Sequence, residues 1–292
     1  MGKDYKKIIP TALLCAKTRA LYTDLAFSKE IYNELRKMGI DGWGTNSGLF
    51  MKCAFLFPSF RSKASILEGR YLSINDAIDR FGECSILELA SGLSPRGKEY
   101  SERTGQNYVE TDLEEMVLLK REIIKRLGKT SRGFHKIIPA NPLNLADLMH
   151  CGRTLRDTKP IAVVNEGLLM YLTLDEKRKL RDNIAFFLKE YSRNGVWITS
   201  DFSSRPVFHK GIIGLLMRRI ESLTSRSFFR FGSDEEAYEF LKEGGLDGEP
   251  VDNRAVFEKL SSLGKLGIER EEAIKLKDLY RAWQITLNHG KT

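Results

Sequence analysis

Cysteine and histidine are scarce in this chain, four of each in 292 residues. Cys15, Cys53, Cys84 and Cys151 are scattered, with no C-x-x-C pair and no spaced cluster of ligands. That excludes a disulfide framework and gives no metal-binding motif. Reduced thiols in a cytoplasm are the expectation. Long apolar runs are also missing, and none approaches the ~20 residues of a membrane span. Pro10, Lys17 and Arg19 interrupt the N-terminal segment, so no secretory leader is expected. No acidic excess exists either: 47 Lys and Arg stand against 39 Asp and Glu, for a net charge of +8. The densest cations are Lys120, Arg121, Lys125, Arg126, Lys129 and Arg132, read as a solvated helix face. A nucleic-acid surface would interleave aromatics with such a stripe, and only Phe134 is near. Neither a nucleic acid nor a membrane is expected as a partner. The pattern is silent on oligomeric state.

What is present is an α/β pattern organised around residues 84–112. Ile86-Leu87-Glu88-Leu89-Ala90 is a short apolar run of strand length, followed at once by the small residues Ser91 and Gly92. Ser94 and Pro95 predict a helix start, because serine accepts an orphan N–H and proline lacks one. A second strand, 107–111, ends on Asp112. Strand, small-residue turn, helix, strand and acid make the first half of a nucleotide-binding crossover. Gly92 allows close backbone approach, the helix N-terminus offers N–H groups, and the acid suits ribose hydroxyls. The three glycines of a pyrophosphate loop are absent, which counts against a nicotinamide-dependent oxidoreductase. Glu88 is unusual for a buried strand and reads as facing a ligand.

Residues 1–80 read as helical: 11–22, then 29–38 capped by Ser28, a third helix opening at Asn46 or Ser47, and 74–81 capped by Ser73. Lys17, Arg19 and Arg70 stand among apolar neighbours, either as surface cations or as a clamp on a ligand carboxylate. From residue 81 strands alternate with helices. Strands are expected at 134–139, 160–165 and 195–201, and a helix at 174–191 with the capping box Thr173 and Glu176. This predicts a mostly parallel sheet with helices on both faces and ligands at the carboxyl ends of the strands. Asp112, Asn141, Asn144, Glu166, Tyr171 and Asp201 all fall there. Apolar residues 202–232 read as a lid or substrate wall, 246–268 as loop, 269–280 as helix and 283–287 as strand. The division expected is a helical cap, 1–80, ahead of a core, 81–292.

Five stretches carry a family resemblance: 11–20, Glu68-Gly69-Arg70-Tyr71, 88–97, Glu110-Thr111-Asp112-Leu113, and Asn165-Glu166-Gly167-Leu168-Leu169-Met170-Tyr171-Leu172. The chain resembles the leucine carboxyl methyltransferase family, in its polyketide-type bacterial and archaeal branch. The resemblance implies a Rossmann-like class I methyltransferase fold, S-adenosyl-L-methionine as cofactor, S-adenosyl-L-homocysteine as product and O-methylation as reaction. It implies that Lys17, Arg19 and Arg70 hold the methionine carboxylate, and that Glu88, Ala90 and Gly92 form the loop around the amino acid moiety. It assigns Asp112 to the ribose, and Asn144 with Leu145 to the adenine edge, Asn141 competing. Glu166 falls beside the methionine amino group and the reaction centre. Glu166 and Tyr171 are the catalytic candidates, Glu166 orienting cofactor or substrate and Tyr171, with His209 as the other choice, serving as the base that a hydroxyl acceptor needs. Ala90 departs from the family, many members of which carry glycine there. The expected acceptor is a carboxylate or hydroxyl of a small metabolite. A protein C-terminal carboxylate and a non-catalytic nucleotide-binding protein are the alternatives.

Overall fold

The computed structural model describes residues 9–40, 58–128, 133–155, 159–202, 231, 233–277 and 281–288. The third helix expected from Asn46 or Ser47, Cys53 and nearly all of the 202–232 stretch lie outside the described residues.

Seven strands form one sheet: β1 (Ser85–Leu89), β2 (Tyr108–Asp112), β3 (His135–Pro139), β4 (Ile161–Asn165), β5 (Val196–Thr199), β6 (Leu246–Pro250) and β7 (Trp283–Leu287). Their order is β3-β2-β1-β4-β5-β7-β6. β1 to β5 are parallel, and β7 runs antiparallel to both β5 and β6. The chain leaves β1 toward β2 on one side and returns to β4 on the other. That reversal opens a crevice beyond the carboxyl ends of β1 and β4.

Period-two alternation sorts the core into two layers. Leu87, Leu89, Val163 and Trp197 face α6 (Leu145–Leu155), α7 (Leu174–Tyr191) and α8 (Asp234–Glu243). Ile86, Tyr108, Val164 and Ile198 face α3 (Pro58–Phe81) and α4 (Arg96–Arg103). Central strands buried on both faces explain their unbroken apolar character. Outside this, α1 (Ile9–Tyr22) and α2 (Ser28–Lys37) pack on α5 (Glu114–Leu127) through Ala16, Ile31, Leu35, Met116 and Ile123.

Several expectations need correction. α3 runs 24 residues straight through Ser73. That side chain is no cap: it is buried and accepts from Asn253 Nδ2 at 3.1 Å. Ser28 does not cap α2 either; Phe27 holds the cap position at φ 59°, and the buried Ser28 hydroxyl has no partner among the described residues. Residues 246–268 are not loop but β6, α9 (Arg254–Phe257) and α10 (Ser261–Leu266), followed by α11 (Arg270–Lys277). Lys120 does not belong to a solvated face. It is 2% exposed and paired with buried Glu110 and, at 3.0 Å, with Ser91 Oγ. No helix among the described residues is long and apolar enough to cross a membrane.

Candidate functional site

At the sheet's point of reversal lies a cavity of about 310 Å³. Its floor is the β1 turn, Glu88 to Ser94, and its sides are Asp112, the Asn141–Leu143 loop and Glu166 to Leu172. Thr11, Cys15 and Arg19 of α1, with Leu67 and Arg70 of α3, form the remaining wall. The lining is mainly apolar, with a few polar groups converging on it.

The turn owes its shape to two left-handed residues, Ala90 at φ 51° and Gly92 at φ 50°. Gly92 adopts this without cost; Ala90 does not, since its Cβ crowds the carbonyl in this region. The Gly92 amide donates to Asp112 Oδ2 at 2.7 Å, and the Leu113 amide donates to Oδ1 at 2.8 Å. Each carboxylate oxygen therefore keeps acceptor capacity for a ligand. Burial pushes the Asp112 carboxyl up, while the two backbone bonds and Lys120 oppose it.

Glu88 and Glu166 are tied by a residue that the sequence reading passed over. The Arg96 guanidinium, fully buried, donates through Nη1 to Glu88 Oε1 and through Nη2 to Glu166 Oε2 at 2.8 Å. Its Nε donates to Asn75 Oδ1 at 2.8 Å, and the Tyr71 ring stacks 4.3 Å away. Tyr108 donates to Glu88 Oε2 at 2.8 Å. Burial raises the Glu88 carboxyl against the pull of Arg96. Burial also acts to raise Glu166, but Arg19, Arg96 and Arg70 outweigh it and hold this carboxyl at about 2. Only Arg96's place behind the turn, on the first helix after β1, could have drawn attention to it.

Arg19 and Arg70 line the cavity, and both already have protein partners. Arg19 Nη2 donates to Glu166 Oε1 at 2.9 Å, and Arg70 Nη2 to Asp201 Oδ1 at 2.8 Å. Buried Arg19 Nε has no partner among the described residues. Asp201 also accepts from the amides of Gly167, Leu168 and Leu169 at 2.7, 2.7 and 3.0 Å. It is a brace for the segment after β4, outside the cavity lining.

Lys17 is not brought to the cavity; its ammonium lies over the Tyr32 ring at 5.8 Å. Asn144 and Leu145 are also not in the lining. Asn144 is exposed at the start of α6, where Oδ1 accepts from the Ala146 amide at 3.1 Å and Nδ2 donates to Asp147 at 2.9 Å. Asn141, three residues earlier, does line the cavity, with its Oδ1 accepting from Leu143. Tyr171 lines it too, its hydroxyl pushed up to about 12 by burial. Burial likewise raises the Cys15 thiol. Arg205, His209 and Lys210, within the expected 202–232 lid, lie outside the described residues.

Comparison with known proteins follows the geometry. The model of the leucine carboxyl methyltransferase family matches residues 67–185. No curated protein matches the sequence. Among solved structures, a DUF574-family protein from Streptomyces avermitilis is similar at 15% identity and TM-score 0.53, covering 76% of this chain and 82% of that one. The mitomycin 7-O-methyltransferase MmcR is similar at 13% identity and TM-score 0.49, covering 95% of this chain and 73% of that one. Some further similar structures are longer chains, of which this one spans 43% to 50%. The fold is a mostly parallel seven-stranded α/β sheet with helices on both faces, shared with the DUF574-family structure.

Proposed function

We propose, from the match of residues 67–185 to the leucine carboxyl methyltransferase family model, that the cavity binds S-adenosylmethionine for O-methylation of a small organic carboxylate. The observation that carries this reading is the convergence of Asp112, Arg19 and Glu166 on one cavity at the sheet's reversal. The donor set suits the cofactor. Asp112 has an open lone pair on each oxygen for the ribose hydroxyls. The unpartnered buried Nε–H of Arg19 suits a carboxylate. Glu88 and Glu166 present negative charge to an ammonium or sulfonium. Asn141, in place of Asn144, takes the polar contact at the adenine edge, and Leu93 and Leu143 flank the base.

When bound, S-adenosylmethionine supplies an electrophilic methyl group on sulfur. The chain's part is to hold the acceptor in line, roughly 3 Å from the methyl carbon, and to exclude water. Neither Tyr171 nor Glu166 is poised to take a proton near neutral pH. Tyr171 at about 12 stays protonated and donates a hydrogen bond, and Glu166 at about 2 is a weak base with both oxygens engaged. A hydroxyl acceptor needs a base. A carboxylate does not, and Tyr171 can orient it. The apolar walls, Leu67, Leu168, Met170 and Leu172, suit a small organic body.

Mass spectrometry of the purified protein should detect bound S-adenosylmethionine or S-adenosylhomocysteine. Labelled methyl transfer into an extract should place base-labile label, as a methyl ester, in the small-molecule fraction. Label confined to protein bands would instead favour a protein C-terminal carboxylate. Base-stable label would point to a hydroxyl.

A further inference from the structure

We infer that Arg96 is a positioning residue whose single guanidinium holds Glu88 and Glu166 together as a fixed pair of negative charges facing the cationic end of the ligand. The inference rests on the S-adenosylmethionine reading of the cavity and adds a role for a residue that does not itself line it. Two carboxylates in one buried wall repel, and without a shared cation one of them takes up a proton. Arg96 removes that choice by geometry. Its planar fork gives one N–H edge to Glu88 and another to Glu166, while Nε is fixed by Asn75 and the ring face by Tyr71. A lysine has one charged nitrogen and no fork, so it cannot reproduce this bridge.

The surroundings make Arg96 the shared element. Glu88 is faced by Arg96 from α4, by Tyr108 and Glu110 from β2, and by Lys120 from α5. Glu166 is faced by Arg19 from α1, Arg70 from α3 and Arg96 from α4, with Cys15 also near. Of these cations, Arg96 alone bonds both acids among the described residues. Tyr108 adds a neutral donor to Glu88 and no charge. Losing Arg96 would leave Glu166 with Arg19 and strip Glu88 of its direct cationic partner, so Glu88 is the acid expected to protonate.

Proton linkage tests this, because a residue with a purely structural role would not move it. The full chain is titrated calorimetrically with S-adenosylmethionine at pH 6.5 in two buffers of different ionisation heat, and then from pH 5.5 to 6.8. The wild type should release less proton, and show a flatter affinity, than the Arg96→Met variant. Arg96→Met should bind more weakly, release up to one proton and gain up to tenfold in affinity per pH unit. In Glu88→Gln/Arg96→Met the released proton should vanish. Arg96→Lys decides the matter if the methionine variant does not fold: pH-dependent binding supports the inference. A folded Arg96 variant with pH-flat binding and no released proton overturns it, as does a proton release that survives in the double variant. A folded wild type that fails to bind S-adenosylmethionine would instead refute the cofactor reading, a separate and recognisable result.

Discussion

The Gly92 amide and the Asp112 carboxylate, 20 residues apart, are joined by a 2.7 Å hydrogen bond. The acid that ends β2 thus holds the turn that ends β1, and it shapes the cavity before any ligand arrives. Asp112→Ala removes this brace together with the two ribose acceptors. S-adenosylmethionine affinity should fall by ~2–3 kcal/mol, the scale of hydrogen bonds to a charged group. Calorimetry on the folded variant checks it, and unchanged affinity would take Asp112 out of the site.

Ala90 at φ 51° carries a left-handed penalty of ~1–2 kcal/mol. Glycine removes that penalty but adds ~0.5–1 kcal/mol of unfolded-state entropy. The first effect is larger, so Ala90→Gly should be the more stable protein by ~0.5–1 kcal/mol. Thermal unfolding should show a midpoint raised by roughly 2 °C; a lowered midpoint would contradict the strain assigned to this turn.

Gly97 answers to Glu110. A Cβ at position 97 would overlap the Glu110 carboxylate, which Lys120 and, at 2.7 Å, His135 Nε2 hold in place. Helix propensity alone would favour alanine by ~1 kcal/mol. Disrupting a buried ion pair costs ~3–5 kcal/mol, so steric conflict should prevail. Gly97→Ala is expected to lower the urea midpoint markedly. A neutral or raised midpoint would show that the Glu110 cluster gives way easily.

Acid should weaken the fold through Glu110 and Glu166. Both carboxyls are held at about 2, against an ordinary 4.5: burial opposes this, but Lys120 and His135, or Arg19, Arg96 and Arg70, outweigh it. The stability they contribute is complete above pH 4.5 and is lost as pH falls toward 2. Glu88 and Asp112, displaced upward, act in the opposite sense. Urea unfolding at pH 7, 4 and 3 should show a steeper decline in the wild type than in Glu166→Gln. Equal slopes would mean that Glu166 contributes nothing to acid sensitivity.

Local signals were legible in the sequence. The Thr173 and Glu176 capping box forms as read, with bonds of 2.9 and 3.3 Å, and the helix it opens has the expected bounds. The β1 turn and its acid are also where the pattern placed them. Contacts between distant segments were not legible. Lys120 sits in a run of cations, and only the fold brings it under Ser91 and against Glu110. Arg96 meets Glu166 across 70 residues, a meeting that no spacing rule encodes. β6, Leu-Asp-Gly-Glu-Pro, has little strand propensity; its partner β7 makes it a strand. Asn144 and Asn141 are chemically equivalent in sequence, and the turn between them decides which side chain reaches the cavity.

Glu68 sits near the middle of α3, is 2% exposed, and its two oxygens are met by Ser261 and Ser262 at the start of α10: the two amides at 2.9 and 2.8 Å and the Ser261 hydroxyl at 2.5 Å. Those partners come 193 and 194 residues later. At ribosomal speeds this is a delay of roughly 10–40 s. Throughout that interval α3, whose other contacts include the cavity wall, carries a carboxylate whose destined partners have not yet been synthesised. The cavity wall formed by Leu67 and Arg70 thus lies beside a buried carboxylate whose partners are made long after the β1 turn and Asp112 that share the cavity with it.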